Sequence, residues 1–484
     1  MSAPAPRLDT DFITAALGPR LRRPAPSEVV HSPAVPEFTR AVIDSRQAGP
    51  GDLFVALQGE RVDGHDFAAA AVRAGARGVL VSRGLPEVAA LAEAEDVAVF
   101  LVDDTLAALQ ELGAAWRAVL PLEVVGITGS VGKTTTKAIT AAILGRASRV
   151  QANPLNYNNE ISVPLCLLEL RPETERAVIE MGMYTRGEIA TLCRWAQPRT
   201  GIVLNVGPTH LERAGSMEAI AAAKRELPEA LPSDGVAVLN ADDPLVKAMA
   251  PHTRARVVWF GLGSGADVRG ADLQSLGAEG FRFTLEFQGE SRRLHVRLPG
   301  AHLVSNVLAG AAAGLADGMS LRAVTDGIES LDVPTRMRVI ALPDGTRIVD
   351  DTYNAQPASM LAALDLLDEM PGRHIALLGD MLELGQAARY EHERVGERAG
   401  EVLDALVTLG EHARHLGETA QRTGHGEVHH ASSREEAAAL LQALVRPGDA
   451  VLIKGSHALG LDAVVAAFEA DAAESSGTKD GDAR

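Results

Sequence analysis

The chain has 484 residues, 46% of them apolar and 23% charged, which is the balance of a globular protein large enough for two to four domains. Its net charge of −18 argues against wrapping a nucleic-acid backbone, since such a chain repels phosphates overall and releases no counterions. A small phosphorylated ligand stays compatible, because a nest of backbone amides and one lysine is enough to hold it. The only cysteines, Cys166 and Cys193, form no Cys-x-x-Cys pair, which argues against a disulfide scaffold or a thiolate zinc site. No apolar run reaches ~18 residues, and the first residues lack the apolar stretch of a signal peptide. The expected location is therefore the cytoplasm, without membrane insertion.

In chain order, residues 53–57 predict a strand ended by Gly59 and residues 65–75 a short helix. Residues 78–81 and 97–102 predict buried strands, and Thr105 an N-cap for a helix running to Val119. A second region opens with a buried strand at 122–127, a Gly-rich turn and a helix from Lys133. Strand signals recur at 177–180, 201–205, 236–239 and 256–260 with helical patterns between them, which implies a parallel sheet covered on both faces. Between Phe281 and Leu298 the rhythm becomes two alternating strands around a Gln288-Gly289-Glu290 turn, an added β hairpin. Asp332-Val333-Pro334 reads as a boundary. Beyond it, strands at 374–378, 403–409 and 450–453 alternate with helices in a Rossmann-like pattern without Gly-x-Gly-x-x-Gly, so no dinucleotide is expected there. The predicted fold is α/β in three domains, 1–118, 119–332 and 333–473, followed by a polar tail, 474–484, expected to be disordered.

The sharpest local signal is Thr128-Gly129-Ser130-Val131-Gly132-Lys133-Thr134-Thr135, set between a buried strand and a helix. The glycines let backbone N–H groups approach an anion, the helix N-terminus adds its dipole, Lys133 adds a point charge and the Thr134 hydroxyl can ligate Mg²⁺. Ile127 stands where the full Walker pattern has glycine, so the turn is a compact variant for ATP. By itself it leaves a kinase, an ATPase, a GTPase and a ligase open.

Glu180 ends a buried strand, where a carboxylate faces the ligand crevice and can hold Mg²⁺; a solvated strand-end charge is the bland alternative. His210 follows another strand end. Lys224 falls on a helix predicted over 219–231, where a surface lysine needs no explanation. His412 and His415 on a helix, and His429 and His430 in a polar loop, read as surface residues, because no Cys or carboxylate pattern completes a metal site.

Taken together, these segments resemble the Mur ligases, and among them the members that add D-alanyl-D-alanine to UDP-N-acetylmuramoyl-tripeptide. The resemblance runs from about Val42 to Val465. It rests on Asp44-Ser45-Arg46 with residues 51–57 and 63–67, on the turn extended to 126–137, and on Asn156-Tyr157-Asn158-Asn159-Glu160-Ile161. Residues 205–212, Asp350-Asp351-Thr352-Tyr353-Asn354-Ala355 and residues 378–385 complete it. It implies a UDP-sugar domain, a central P-loop-type ATP domain and a C-terminal ligase domain, working through an acyl-phosphate and releasing ADP.

The resemblance also implies roles. Lys133, Glu180, His210 and Lys224 form the catalytic set. Thr128, Gly129, Ser130, Val131, Gly132, Lys133, Thr134 and Thr135 bind ATP, with Asn306, Arg336 and Asp351 at adenine, phosphate and nucleotide positions. Thr134 and Glu180 hold one Mg²⁺; His210 and a carbamate on Lys224 support a second. Ser45 and Arg46 belong to the substrate-binding N-terminal domain, and Asn158 and Asn159 lie where the UDP-sugar peptide meets ATP. A monomer is expected. The chain departs from the family at Leu303 (Asn is usual), Gln356 (Asn), Thr335 (Gly), His457 (Arg) and Leu461-Asp462 (Met-Glu), and His457 bears on recognition of the amine's carboxylate. Rival readings are a ligase for another amino acid or for folate polyglutamate, a nucleotide switch, and a kinase.

Overall fold

A computed structural model describes residues 5–22, 37–154, 156–333, 336–424 and 426–477. It contains three α/β layers, each built on its own sheet. The first is four-stranded and parallel, in the order β1 (Ala41–Val42), β2 (Leu53–Val55), β3 (Gly78–Val81), β4 (Ala98–Leu101). The second has nine strands: β5 (Glu123–Thr128), β6 (Val150–Ala152), β7 (Arg176–Glu180), β8 (Thr200–Val203), β9 (Val236–Asn240), β10 (Arg256–Gly261), β11 (Val268–Ser275), β12 (Phe281–Phe287) and β13 (Glu290–Val296). Their order is β13-β12-β11-β10-β9-β8-β5-β7-β6, parallel from β6 to β11 and antiparallel at β11-β12-β13. The third has β14 (Arg338–Ala341), β15 (Arg347–Asp351), β16 (His374–Gly379), β17 (Ala405–Leu409), β18 (Glu427–Ala431) and β19 (Ala450–Lys454), in the order β14-β15-β19-β16-β17-β18, with only β14 antiparallel. Among the described residues no helix is long and apolar enough to cross a membrane.

In the second sheet the chain winds from β5 toward β6 and β7 on one side, and β8 through β11 lie on the other. The gap at the carboxyl ends of β5 and β8 is thus a topological switch point, the place where open α/β sheets bind ligands. Val124, Ile127, Val178, Ile202 and Val238 are fully buried, as strands covered on both faces require. The expected hairpin is present, with Phe287 opposite Glu290 and a turn at Gln288 (φ 49°) and Gly289 (φ 82°); Glu290 opens the second strand rather than closing the turn. Its inward residues Phe281, Phe283 and Leu285 pack with Val307 and Leu308 of the helix Val304–Ala316.

Four expectations need correction. The helix Thr105–Val119 is capped by Asp104, whose carboxylate accepts from the N–H groups of Leu106 and Ala107; Thr105 instead donates its hydroxyl to Ala56 O at 2.8 Å. The antiparallel extension has a third strand, β11, hidden in the sequence because a bulge at Asp272 (φ 51°) breaks its alternation. His429 and His430 lie on the edge strand β18, not in a loop; an edge strand keeps polar side chains because water reaches it. Residues 474–477 of the expected tail continue the helix Asp462–Gly477, and 478–484 lie outside the described residues.

The first layer is fixed to the second by the helix Thr105–Val119. Gly113 lets it approach Pro164, where a β-carbon would sit 2.9 Å from the Pro164 Cα. Trp116 is buried, packs edge-on against Phe12 and donates its indole N–H to Leu170 O at 2.9 Å. Buried Arg117 donates to the carbonyls of Ala196, Leu120 and Leu122. Trp116→Ala is expected to lower stability by about 3–5 kcal/mol. Trp116→Phe, which leaves the Leu170 carbonyl without its donor, is expected to lower it by about 1–3 kcal/mol. Chemical denaturation followed by circular dichroism measures both.

Candidate active site

The Gly-rich turn leaves β5 at Thr128 and enters the helix Lys133–Leu144 through Gly132, whose φ of 87° is the left-handed geometry that glycine accommodates. A β-carbon at Gly132 would also run into Asn306 Nδ2. Asn306 spends that amide on the turn, donating to Gly132 O (3.1 Å) and Thr136 Oγ1 (2.8 Å). Asn205, beyond the end of β8, clamps the other side: its Oδ1 accepts from the N–H groups of Ser130 (3.0 Å) and Val131 (2.9 Å), and its Nδ2 donates to Val131 O. These two N–H groups are therefore not aimed at an anion, contrary to a simple nest. The unpaired N–H groups of the helix's first turn remain for that task. Lys133 Nζ folds back onto Gly129 O (2.8 Å) and Ser130 O (3.2 Å). Burial lowers its pKa, Glu180 opposes this and Arg336 adds to it.

Glu180, at the end of β7, is 1% exposed, which removes the reading of a solvated strand-end charge. A carboxylate that deep needs partners. It accepts from Thr134 Oγ1 (2.9 Å) and Asn158 Nδ2 (2.8 Å), and Lys137 Nζ stands 3.7 Å away. Arg336 Nη2 donates to the same Thr134 hydroxyl at 2.7 Å, bringing a cation from the start of the third layer. Asn159 accepts instead from Ile161 N and Ser162 N, ordering the helix Ser162–Leu168 at the cavity rim.

His210 and Lys224 face the same cavity. His210 has a left-handed backbone (φ 55°), packs against the Tyr184 ring at 4.9 Å and holds Glu383 through Nδ1. Burial lowers its pKa; Glu383 opposes this, while Lys133 and Lys224 add to it. Lys224 is 2% exposed, not a surface lysine. Burial, and then repulsion from Lys133, pushes its pKa well below that of a free lysine. The missed signal is the helix face: Ile220, Ala223, Lys224 and Leu227 recur at helical spacing and are all buried. Lys137 was overlooked in the same way, between buried Thr136 and Thr140.

The third layer closes the cavity, whose volume is about 940 Å³. Asp351, at the end of β15, accepts from buried Lys454, which also donates to Asn354 O at 2.7 Å. Arg336 lies over the Tyr353 ring at 4.0 Å, and His457 stacks near Tyr353 at 5.8 Å. His302 lines the wall, its pKa lowered by burial and raised by Asp351, while Leu303 enters the core.

Of the anticipated residues, Ser130, Val131, Gly132, Lys133, Thr134, Thr135, Asn158, Asn159, Glu180, His210, Lys224, Asn306, Arg336 and Asp351 all line this one cavity. Thr128 and Gly129 support the turn from behind. Ser45 and Arg46 stand apart in the first layer, where Arg46 is paired with Asp44. Asn205, Lys137, Glu383 and Tyr353 entered the sequence reading only as motif letters without a role, and Lys454 was given none either. Among the described residues no three His, Cys, Asp or Glu side chains gather around a metal-sized space.

Three family models match the chain: "Mur ligase family, catalytic domain" over 37–117, "Mur ligase middle domain" over 127–314 and "Mur ligase, glutamate ligase domain" over 335–457. A UDP-N-acetylmuramoyl-tripeptide--D-alanyl-D-alanine ligase of Mycobacterium tuberculosis is 40% identical over 466 residues, covering 88% of this chain and 91% of the relative. The crystal structure of MurF from Acinetobacter baumannii superposes with a TM-score of 0.83 at 30% identity, covering 96% of this chain and 99% of the other. That of the MurF ligase from Thermotoga maritima in complex with ADP gives 0.77 at 30% identity, covering 90% and 98%.

Asn205→Ala frees two N–H groups of the turn and removes its brace. A loss of about 1–3 kcal/mol in nucleotide binding is expected, roughly tenfold or more in Kd. Calorimetric titration with ADP measures it, with an unchanged circular dichroism spectrum as control.

Proposed function

This chain belongs to the Mur ligase family, and from that premise we propose that it is an ADP-forming ligase that adds D-alanyl-D-alanine to UDP-N-acetylmuramoyl-tripeptide, a step of peptidoglycan precursor synthesis. The observation that carries the reading is the convergence of Lys133, Arg336, Thr134 and Glu180 on one wall of a cavity that two sheets share. The limits 1–118, 119–332 and 333–473 are taken as its domains, since each encloses one sheet. A monomer is the proposed state, and the cytoplasm, where nucleotide substrates are made, the proposed location.

The reaction joins two anions before it joins two molecules. The tripeptide's terminal carboxylate attacks the γ-phosphorus of ATP, the bond to the bridging oxygen breaks, and an acyl-phosphate and ADP result. The amine of D-alanyl-D-alanine then attacks the acyl carbon and phosphate leaves. Lys133, released from the Gly129 and Ser130 carbonyls, pairs with the outer phosphate oxygens, and Arg336 meets them from the third layer. The helix Lys133–Leu144 adds its N-terminal dipole. Enclosure between the two layers keeps water from the acyl-phosphate and aligns the amine. Tyr353 lines the third-layer side and carries the His457 ring stacked on it at 5.8 Å; in this reading the amine substrate's carboxylate is placed near this pair.

Mg²⁺ fits the first position by donor chemistry: Thr134 Oγ1 and Glu180 Oε2 are hard oxygens 2.9 Å apart at the phosphate end of the turn. For the second, His210 and an unmodified amine make a poor set. Burial, and then Lys133, lower the affinity of Lys224 for its proton, which favours the lone pair that adds CO₂; a carbamate there would supply oxygen donors and a charge that offsets Lys133. Bound there, the two ions would neutralise charge on the transferring phosphoryl group.

Lys133→Ala is expected to lower turnover at least about 10²-fold without disturbing the fold; normal ADP release with both substrates present would contradict its role. Lys224→Ala is expected to be inactive, unresponsive to bicarbonate and partly rescued by short carboxylic acids, and an unimpaired variant would remove the carbamate. The overall reading is tested by ATP turnover on UDP-N-acetylmuramoyl-tripeptide with and without D-alanyl-D-alanine, followed by the product's mass. Turnover indifferent to the peptide would favour a nucleotide switch, and a persistent phosphorylated product without amine a kinase.

A further inference from the structure

The cavity has a limb that the phosphate chemistry does not use. It opens where the chain leaves Glu180, along the loop 181–187, and its buried apolar lining is Met183 and Leu192. Two exposed arginines, Arg186 and Arg213, stand at its mouth. Arg213 lies over the Tyr184 ring at 4.7 Å, and the same ring meets His210 edge-on at 4.9 Å. The loop is pinned at both ends. Gly182 N donates to Asn158 O (2.9 Å), and Gly187 N and Ala190 N donate to the buried Glu226 carboxylate (2.6 and 3.0 Å). Between them, Glu188 accepts from Tyr184 N (2.7 Å) and Thr185 Oγ1 (2.8 Å).

The charges of this limb are unbalanced in the direction opposite to that of the whole chain, whose net charge is −18. Its carboxylates are spent: Glu188 and Glu226 hold donors of the loop, and Glu180 holds Thr134 and Asn158. Arg186 and Arg213 have no ion-pair partner among the described residues. The remaining acid nearby, Glu160, lies on the separate loop 156–161, where its carbonyl accepts from Gln110 Nε2 of the helix Thr105–Val119 at 3.2 Å. Two guanidinium groups without carboxylates, on a pinned loop and beside a pinned ring, leave a place for an anion that the substrate itself brings.

We propose that Arg186 and Arg213 are specificity-determining residues for the peptide substrate: they receive a side-chain carboxylate on its third residue, so that the enzyme takes a tripeptide ending in a dicarboxylic diamino acid and discriminates against one ending in a monocarboxylic diamino acid. The inference rests on the ligase reading above, in which the third residue's own terminal carboxylate is the one phosphorylated. That residue has its reacting end beside Lys133 and Glu180, and the limb beginning at Gly182 is the space next to it for a side chain. A guanidinium pairs with a carboxylate through two parallel N–H···O bonds, which gives direction as well as attraction. A side chain that lacks the carboxylate brings only an ammonium toward two cations, and that repulsion adds to the discrimination. Glu160 can meet the ammonium of either side chain and so does not discriminate between them.

The test gives the full chain ATP, D-alanyl-D-alanine and a UDP-N-acetylmuramoyl-tripeptide ending either in 2,6-diaminopimelate or in lysine, two residues that differ by one carboxylate. The natural chain is expected to use the diaminopimelate peptide with a kcat/KM at least about tenfold higher. Arg186→Gln and Arg213→Gln are each expected to raise KM for that peptide about 3–10-fold with kcat little changed, and not to raise KM for the lysine peptide. The double variant should bring the two peptides to within about twofold of each other. Calorimetric titration should show ADP bound by each variant as by the natural chain, and a variant that loses ADP as well overturns the assignment of its arginine to the peptide. Equal use of both peptides by the natural chain overturns the proposal without any variant, as does an equal rise in KM for both peptides in the variants. If neither peptide stimulates ATP turnover by the natural chain, the ligase reading itself fails, a result distinct from the failure of the two arginines.

Discussion

A carboxylate buried to 1% exposure organises this site. A carboxylate at that depth needs donors, and those Glu180 recruits are the working parts of the cavity: the Thr134 hydroxyl from the phosphate turn, the Asn158 amide from the opposite rim and Lys137 from the helix Lys133–Leu144. Asn153 fixes its backbone as well, accepting from Glu180 N at 2.9 Å. Replacing any one donor leaves a buried charge short of compensation, which is why residues distant in sequence are held to one geometry.

The positive charge follows a second constraint. Lys133, Lys224 and Arg336 line the same cavity; burial first, and then repulsion from Lys133, lower the affinity of Lys224 for its proton, while Lys133, lowered by its own burial, donates to the carbonyls of the turn. A wall in this state is electrostatically unfinished. A triphosphate, a substrate carboxylate and a carbamate are each anionic and would each relieve it. The cavity therefore favours gathering several negative groups at once, and that is the difficulty an acyl-phosphate mechanism has to overcome.

Much of this was legible beforehand, for reasons visible in particular residues. The strand from Glu123 and the glycines at 129 and 132 announce the phosphate turn because only a tight backbone there brings N–H groups to an anion. Continuous apolar runs at 177–179 and 236–239 announce strands buried on both faces. The bulged β11 was not legible, since Asp272 interrupts its period, nor was β18, whose polar residues suit an edge. Read by residue type alone, Lys224 passed for a surface lysine and only the resemblance drew it into the site, although its place on the Ile220-Ala223-Leu227 face of its helix carried the signal of burial.

What the sequence alone determined was local: which segments alternate, where the chain turns on glycine, and which motifs follow one another, because short-range sterics and hydrophobic periodicity act over a few residues. The tertiary structure decided which of those motifs meet. Arg336 reaching Thr134, Glu383 reaching His210 and Asn205 bracing Ser130 all join residues from different elements, two of them across layers. No periodicity encodes such pairs. They arise when sheets stack and buried charges must find partners, and the free energy that selects them belongs to the whole packed arrangement rather than to any segment of it.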